Sequence, residues 1–291
     1  MTNFYSDQHM ISSVARCCAR IFLSLILGAN FNAWAEPIKL GGTGSGLDMM
    51  RLLANAYSEQ DKAFALSVMP NLGSTGGVKA LTAGMIDIAV TSRALTPTEL
   101  SLMLVEKKYG RTPLALVTSR RDPPGLSAQQ VENIISGKTA TWPDGTPIRL
   151  VMRPHSDGDS DILSHASKNM RQAINTALLR RDIALAITDQ ESAELAEKLP
   201  GSFGTASLVV LLTEKRTLYP IALDGVSPSI EALSTHHYPL YKDMRVVTKG
   251  QPSGAVAHFI DFIFSPKGRE LLAHYGHWVT DQEMHAASGH P

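Results

Sequence analysis

Residues 38–57 read Ile-Lys-Leu-Gly-Gly-Thr-Gly-Ser-Gly-Leu-Asp-Met-Met-Arg-Leu-Leu-Ala-Asn-Ala-Tyr. A short apolar segment is followed by a glycine-rich turn and then by apolar residues at helical spacing, which predicts a strand, a turn and a helix. The same order returns in the strand Ala65–Met69, the turn Asn71–Gly77 and a helix over 78–85, before a further strand at Ile86–Thr91. Strands and helices that alternate in this way predict an α/β fold with mainly parallel sheets.

The rest of the chain continues this alternation. Three segments carry a Ser or Thr followed three residues later by Glu or Gln, a capping box that predicts helix starts after Thr96, Ser127 and Thr188. A long helical region is predicted at 254–275, with an interruption at Ser265-Pro266. Further strands are predicted at Pro113–Val117, Ile148–Met152, Ser202–Leu208, Tyr219–Leu223 and Met244–Thr248.

The N-terminal segment has the composition of an export signal. Arg16 and Arg20 precede the apolar run Ile21–Ala29, and Ala33-Trp-Ala35 then forms a small-x-small cleavage signature. This order predicts a cleaved signal peptide over residues 1–35. An uncleaved N-terminal anchor is the alternative, although the apolar run is short for a membrane span. With a cleaved signal and no second long apolar run, we expect the protein to be periplasmic.

Composition excludes several function classes. The chain has 291 residues, of which 44% are hydrophobic and 19% charged, so a sizeable core can form. Lys and Arg together number 27, as do Asp and Glu, and a chain without a basic excess is poorly suited to binding nucleic acid. Both cysteines, Cys17 and Cys18, lie in the signal segment, so the mature chain offers no disulfide, thiolate metal site or cysteine nucleophile. We expect no cofactor.

Three turns rich in glycine and hydroxyl residues are the candidate binding elements: Gly42–Gly46, Gly73–Gly77 and Arg153–Ser160. Each follows a predicted strand and leads into a helix, where helix N-termini leave free N–H groups and a partial positive charge. Ser and Thr add donors, and the Arg153 guanidinium adds a planar fork suited to an oxyanion. Arg93 follows another strand directly. Together these features predict a locally built anion site; the alternative is that the turns only satisfy backbone geometry.

Catalytic and nucleotide-binding motifs are missing from the sequence. Gly41–Asp48 has the glycine spacing of a P-loop, but Leu47 and Asp48 stand where Lys and Ser or Thr are required. The chain has no Gly-x-Ser-x-Gly elbow, and its histidines show no His-Glu-x-x-His pattern. We therefore expect a binding protein rather than an enzyme, and no metal site.

Several segments, in order along the chain, resemble the phosphate-type periplasmic solute-binding proteins of ABC transporters. They include Asn71–Ala80, Gly84–Leu95, Leu126–Gly137, the Arg153 turn, Leu223–Ser229 and Val246–Gly250. The resemblance covers nearly the whole mature chain and rests on the ordered series rather than on one motif. It implies two α/β lobes, each a mainly parallel sheet flanked by helices, joined by two hinge strands that close on a ligand. Lobe 1 would comprise 36–116 and 220–291, and lobe 2 would comprise 117–219.

The resemblance also implies a ligand and partners. The ligand would be a small oxyanion, with phosphate leading, bound by a monomer and delivered to an ABC transporter permease in the inner membrane. The residues implied for the first lobe are Thr43, Gly44, Ser45, Ser74, Thr75, Ser92 and Arg93. Those implied for the second lobe are Arg153, Ser156, Asp157, Gly158, Asp159 and Ser160. On this basis, Arg153→Ala should weaken anion binding strongly and leave folding intact.

Two departures from the family pattern bear on the ligand. Family members that discriminate phosphate sharply carry an aspartate where this chain has Arg93, and the family's Ser-Gly-Thr turn is here Ser-Asp-Gly-Asp-Ser at 156–160. Carboxylates near a dianion repel it unless they are protonated or turned outward. Two alternative functions therefore stay open. One is a stand-alone binding protein that signals or scavenges another anion or a phosphorylated ligand, and the other is an exported phosphatase-like enzyme.

Overall fold

The computed structural model describes residues 36–279. The predicted signal peptide and residues 280–291 lie outside this range, so the signal peptide stays a prediction. Within 36–279, none of the helices combines the length and the hydropathy that a membrane span needs.

Strands and helices alternate along the described chain. Strands β1 to β9 are Ile38–Gly42, Leu66–Asn71, Ile88–Thr91, Leu104–Thr118, Arg149–Met152, Ala184–Leu185, Ser202–Ser207, Tyr219–Ile221 and Tyr241–Lys249. Helices α1 to α11 are Gly44–Ser58, Gly73–Thr82, Pro97–Leu100, Ala128–Ser136, Gly158–Ala166, Lys168–Ala177, Asp189–Lys198, Leu208–Thr213, Ile230–Ser234, Gly254–Phe264 and Pro266–His274. The predicted capping boxes at Thr96 and Ser127 form, and the predicted break at Ser265 separates α10 from α11.

The strands form one sheet in the order β2-β1-β3-β9-β4-β7-β5-β6, with β8 paired to β4. β1 pairs in parallel with β2 and β3, and β5 pairs in parallel with β6 and β7. At the centre, β9 runs antiparallel to β3 and β4, and β4 runs antiparallel to β7 and β8. The expected parallel pairing is therefore found in the outer strands, whereas the long central strands are antiparallel.

Strand β4 connects the two ends of the sheet. Its residues 104–113 pair with β9, and its residues 114–118 pair with β7 and β8. Sequence patterns predict only 113–117 as strand, because the charged residues 106–108 interrupt the apolar pattern of the first half. This part of the strand forms because it pairs with β9. Such tertiary pairing cannot be inferred from local strand propensity.

Buried apolar side chains form two larger clusters on either side of this junction. The first cluster includes Leu40, Met50, Val90, Tyr109, Val246 and Phe259. The second cluster includes Leu114, Ile134, Leu150, Phe203, Leu223, Tyr238 and Leu240. The buried residues Leu223, Tyr238 and Leu240, which precede β9 at Tyr241, therefore pack in the second cluster.

His277 is a buried histidine that packs against the first cluster. Its side chain is fully buried, and its ring centroid lies 5.5 Å from that of Tyr109. Within the described residues, neither ring nitrogen has a hydrogen-bond partner. Burial in this apolar setting lowers the pKa of His277 to about 4.

We expect acid to destabilise the protein through His277. Because the pKa of His277 falls from its ordinary value of 6.5 to about 4 in the fold, the unfolded chain binds the proton first as pH drops. Well above pH 6.5, the neutral His277 ring makes its full contribution to the free energy of unfolding. That free energy should decline by about 3 kcal/mol as pH falls to 4. Chemical denaturation between pH 7.5 and 4 measures the effect.

The variant His277→Leu should remove this part of the pH dependence, and the exposed His258→Leu should retain it. If the free energy of unfolding of His277→Leu depends on pH as steeply as that of the native protein, other groups cause the acid sensitivity.

Candidate ligand-binding site

A cavity of about 500 Å³ lies between the starts of helices α2 and α5. The predicted site residues that line it are Thr43, Ser74, Thr75, Ser92, Arg93, Ser156, Asp157, Gly158 and Asp159. Gly44, Ser45, Arg153 and Ser160 do not line it and are buried. Two other grooves, of about 350 and 460 Å³, hold none of the predicted residues. The structure thus brings residues of all three predicted turns to one cavity.

The turns that lead into α1 and α2 are held together by the Asn71 side chain. Its Oδ1 accepts hydrogen bonds from the backbone N–H of Gly44 at 3.1 Å and of Gly73 at 2.9 Å. Its Nδ2 donates to Gln190 Oε1 at 3.0 Å. Gly42, where the first turn begins, has a φ of 138°, and a Cβ there would lie 2.0 Å from a backbone oxygen of β3. Only glycine fits this position.

Ser74 and Ser92 connect the second turn to the end of β3. Ser74 Oγ accepts a hydrogen bond from Ser92 N at 3.0 Å and lies 3.2 Å from Ser92 Oγ. Thr75 lines the cavity next to them. Three hydroxyls and the N-terminus of α2 therefore make one wall of the cavity rich in donors.

Arg93 lines the cavity as one half of an ion pair. Its Nη1 and Nη2 donate to Glu99 Oε2 at 2.7 Å and Oε1 at 2.8 Å, and Nη2 also donates to Thr75 Oγ1 at 3.2 Å. Glu99 is itself held in the capping box of α3, where its Oε2 accepts from Thr96 N at 2.8 Å. The hydrogen bonds from Arg93 lower the pKa of Glu99 to about 2. The charge of Arg93 is therefore compensated within the chain.

Arg153 is buried rather than open to the cavity, with 4% of the residue exposed. Its Nη2 donates to Asp157 Oδ2 at 2.5 Å and to the carbonyl oxygen of Ile187 at 3.0 Å. Within the described residues, its Nε and Nη1 have no hydrogen-bond partner. Ser160 Oγ donates to the Arg153 carbonyl at 2.8 Å, and Asp157 Oδ1 caps α5 by accepting from Asp159 N at 3.0 Å. These bonds hold the third turn in place.

Lys242 is a charged residue of the site that sequence reasoning missed. Its side chain is 2% exposed, and its Nζ lies 2.5 Å from Asp159 Oδ1 and 2.8 Å from Asp189 Oδ1. The same Nζ donates to Ser45 Oγ at 2.8 Å. Thr205 Oγ1 donates to the second oxygen of Asp159 at 3.0 Å. A single lysine therefore joins the starts of α1, α5 and α7.

The sequence carries a signal for Lys242 but not for its partner. In β9, Lys242 is in phase with Met244 and Val246, both buried, so strand alternation places its side chain in the interior. Asp189 follows the N-cap Thr188, where an acidic residue is ordinary at a helix start. No local sequence pattern indicates that Asp189 also contacts Lys242.

We call Arg153, Lys242, Asp157, Asp159 and Asp189 the charge cluster; with two positive and three negative groups, its net charge is −1 when all are ionised. Burial and the neighbouring Asp159 raise the pKa of Asp157. Burial disfavours charge on Lys242 and Asp189 as well. Nearby carboxylates nevertheless raise the pKa of Lys242, and Lys242 and Arg153 hold the pKa of Asp189 below its usual range. The cations of the cluster are thus neutralised by the chain's own carboxylates.

Comparisons with known proteins agree with this architecture. The family model of the PBP superfamily domain matches residues 30–267. The Phosphate-binding protein PstS of Bacillus subtilis is 26% identical, over 54% of this chain and 49% of its own length, so the match spans about half of that relative. The Phosphate-binding protein PstS of Borreliella burgdorferi is 23% identical, over 70% of this chain and 76% of its own length.

Solved structures show the same fold at low sequence identity. A Clostridium perfringens protein assigned to a phosphate ABC transporter, solved with bound phosphate, is 20% identical; it matches 84% of this chain and 100% of its own, with a TM-score of 0.71. An ABC-type phosphate transport receptor from Vibrio cholerae is 21% identical, with the same coverage and a TM-score of 0.59. The family and the α/β fold class predicted from sequence are confirmed. The chain belongs to the PBP superfamily.

Proposed function

We propose that the protein is an extracytoplasmic solute-binding protein that holds a small oxyanion, with phosphate leading, in the 500 Å³ cavity for uptake by an ABC transporter. Membership of the PBP superfamily and curated relatives named phosphate-binding proteins support this class. The observation that carries it is the meeting of Ser74, Thr75 and Ser92 with the turn 156–159 in one cavity. Hydroxyls and helix N-termini that converge in this way suit an anion.

We also infer two lobes that meet at this cavity. The two apolar clusters support a division within β4, after residue 113. Because Leu223, Tyr238 and Leu240 pack in the second cluster, we place the return crossing near Tyr241 rather than at residue 220. A periplasmic location, a permease partner and a monomeric state belong to the same proposal.

The charge cluster favours a second candidate, a stand-alone binding protein for a less negatively charged or larger ligand. The cluster has a net charge of −1 when all its groups are ionised, and a dianion placed beside it is then repelled. The dissociation constants of anions that differ in charge and size distinguish the two candidate functions.

Isothermal titration of the mature protein, freed of carried-over ligand by partial unfolding and dialysis, tests the proposal. We expect phosphate to bind with a dissociation constant below about 1 mM, and sulfate, molybdate and tungstate are titrated in parallel. If none of the four binds below that concentration, uptake of a small oxyanion is ruled out. Release of phosphate from a generic ester by the pure protein would instead indicate an enzyme.

Glu99→Gln should strengthen phosphate binding about threefold, because the guanidinium of Arg93 is released from its carboxylate partner while glutamine still completes the capping box. Titration calorimetry measures the change. The matched control is Glu194→Gln, which removes an exposed carboxylate that is paired with Lys198 and does not line the cavity. Equal effects of the two substitutions would show that the Arg93–Glu99 pair does not limit binding.

A further inference from the structure

The N-terminus of α1 already holds a negative group from the chain itself. Asp189, the first residue of α7, is 9% exposed, and its Oδ1 accepts a hydrogen bond from Ser45 Oγ at 2.6 Å. Lys242 Nζ donates to the same oxygen at 2.8 Å. Ser45 is the second residue of α1, where the helix dipole favours negative charge. The carboxylate of Asp189 therefore sits where the first glycine-rich turn would receive an anion.

The packing around this carboxylate leaves little room for another ion. A Cβ placed on Gly44 would lie 2.9 Å from Asp189 Oδ2 and 2.3 Å from Gln190 Oε1. The N–H of Gly44 is also engaged, since it donates to Asn71 Oδ1. The starts of α1 and α7 are thus in direct contact, and a separate oxyanion at this place would have to displace Asp189.

Charge adds to this steric exclusion. Asp189 shares Lys242 with Asp159, at 2.8 and 2.5 Å, and the charge cluster has more carboxylates than cations. Asp189 also lines the cavity, so a ligand bound near Ser74 and Ser92 lies in the same space as its charge. Displacing Asp189 would leave a buried carboxylate without its hydrogen bonds, which is costly.

We infer that Asp189 is a specificity-determining residue: its carboxylate occupies the anion position at the start of α1 and excludes a doubly charged oxyanion from it. This inference rests on the proposed function, because it concerns the same cavity. The Asp189 carboxylate confines a bound solute to the wall formed by Ser74, Thr75 and Ser92, and it disfavours the binding of dianions relative to monoanions.

Titration of phosphate against the native protein, Asp189→Ala, Asp189→Asn and Asp48→Asn tests the inference. Asp48 is the matched control, because it lies in the first turns of α1, pairs with Arg51 and does not line the cavity. Circular dichroism and thermal melting first establish that each variant is folded. Asp189→Asn keeps an acceptor for Ser45 and therefore remains informative if Asp189→Ala does not fold.

We expect Asp189→Ala and Asp189→Asn to bind phosphate at least about tenfold more tightly than the native protein at pH 8, where phosphate is mainly the dianion, and Asp48→Asn to change binding less than about twofold. Equal gains in Asp48→Asn, or no gain in any folded Asp189 variant, would overturn the inference.

The outcomes distinguish the inference from the proposed function. If the native protein binds phosphate and the Asp189 variants bind it no better, the function stands and the inference fails. If only the Asp189 variants bind phosphate, the inference stands and native phosphate uptake fails. If no folded protein binds it, both fail.

Discussion

Replacing Lys242 by methionine is expected to lower the free energy of unfolding by about 3–5 kcal/mol at pH 7, because removing one partner of a buried ion pair leaves the other charge uncompensated. Lys242 is the cation that Asp159 and Asp189 share, and its side chain is 2% exposed. Without it, the three carboxylates of the charge cluster face Arg153 alone. Methionine fills a similar volume, so the loss reports charge rather than a cavity. Urea denaturation followed by circular dichroism measures it.

Two comparisons sharpen this prediction. Lys249→Met, an exposed position on the same strand, should change the free energy of unfolding by less than about 0.5 kcal/mol. The loss of stability in Lys242→Met should also shrink as pH falls from 7 to 5. Without the lysine that lowers its pKa, the buried Asp189 then binds a proton more readily in the fold than in the unfolded chain. A deficit below about 1 kcal/mol would contradict a structural role for the lysine.

Arg153→Met is expected to cost about 3 kcal/mol or more of folding stability. It should also weaken oxyanion binding at least about tenfold, because the charge cluster beside the cavity loses one of its two cations and becomes more negative. This differs from the sequence-based expectation that Arg153 can be removed without affecting folding. The physical reason is burial: Arg153 is 4% exposed, and its Nη2 bonds both Asp157 and the Ile187 carbonyl. Without Arg153, these acceptors would lose the donor that the buried side chain supplies. Denaturation and titration calorimetry on the same variant separate the two effects.

Arg153→Lys provides the matched variant, since it keeps the charge and loses the planar fork. Both described hydrogen bonds of the side chain use the single nitrogen Nη2, so we expect lysine to recover more than half of the lost stability. The exposed Arg149→Met on β5 controls for removal of an arginine from the same segment. An Arg153→Met variant as stable as Arg149→Met would show that the buried contacts are dispensable.

Local sequence patterns predicted the elements on which the candidate site is built. Apolar spacing and glycine placement indicated the first strand, turn and helix, and capping residues marked the starts of α3 and α4. The break between α10 and α11 also followed from Ser265-Pro266. These features depend on residues a few positions apart, so they can be inferred without knowing the rest of the fold.

Sequence alone therefore determined the α/β class and the position of the glycine-rich turns. Tertiary structure decided which charged side chains pair with one another in the charge cluster beside the cavity. Ser45 and Lys242 are 197 residues apart, Ser45 and Asp189 are 144 apart, and their side chains nevertheless meet within 2.8 Å. Local patterns in one amino-acid sequence carry no information on which of these distant residues are in contact. Whether a charged side chain is free for a ligand depends on its partners, and only the folded chain supplies them.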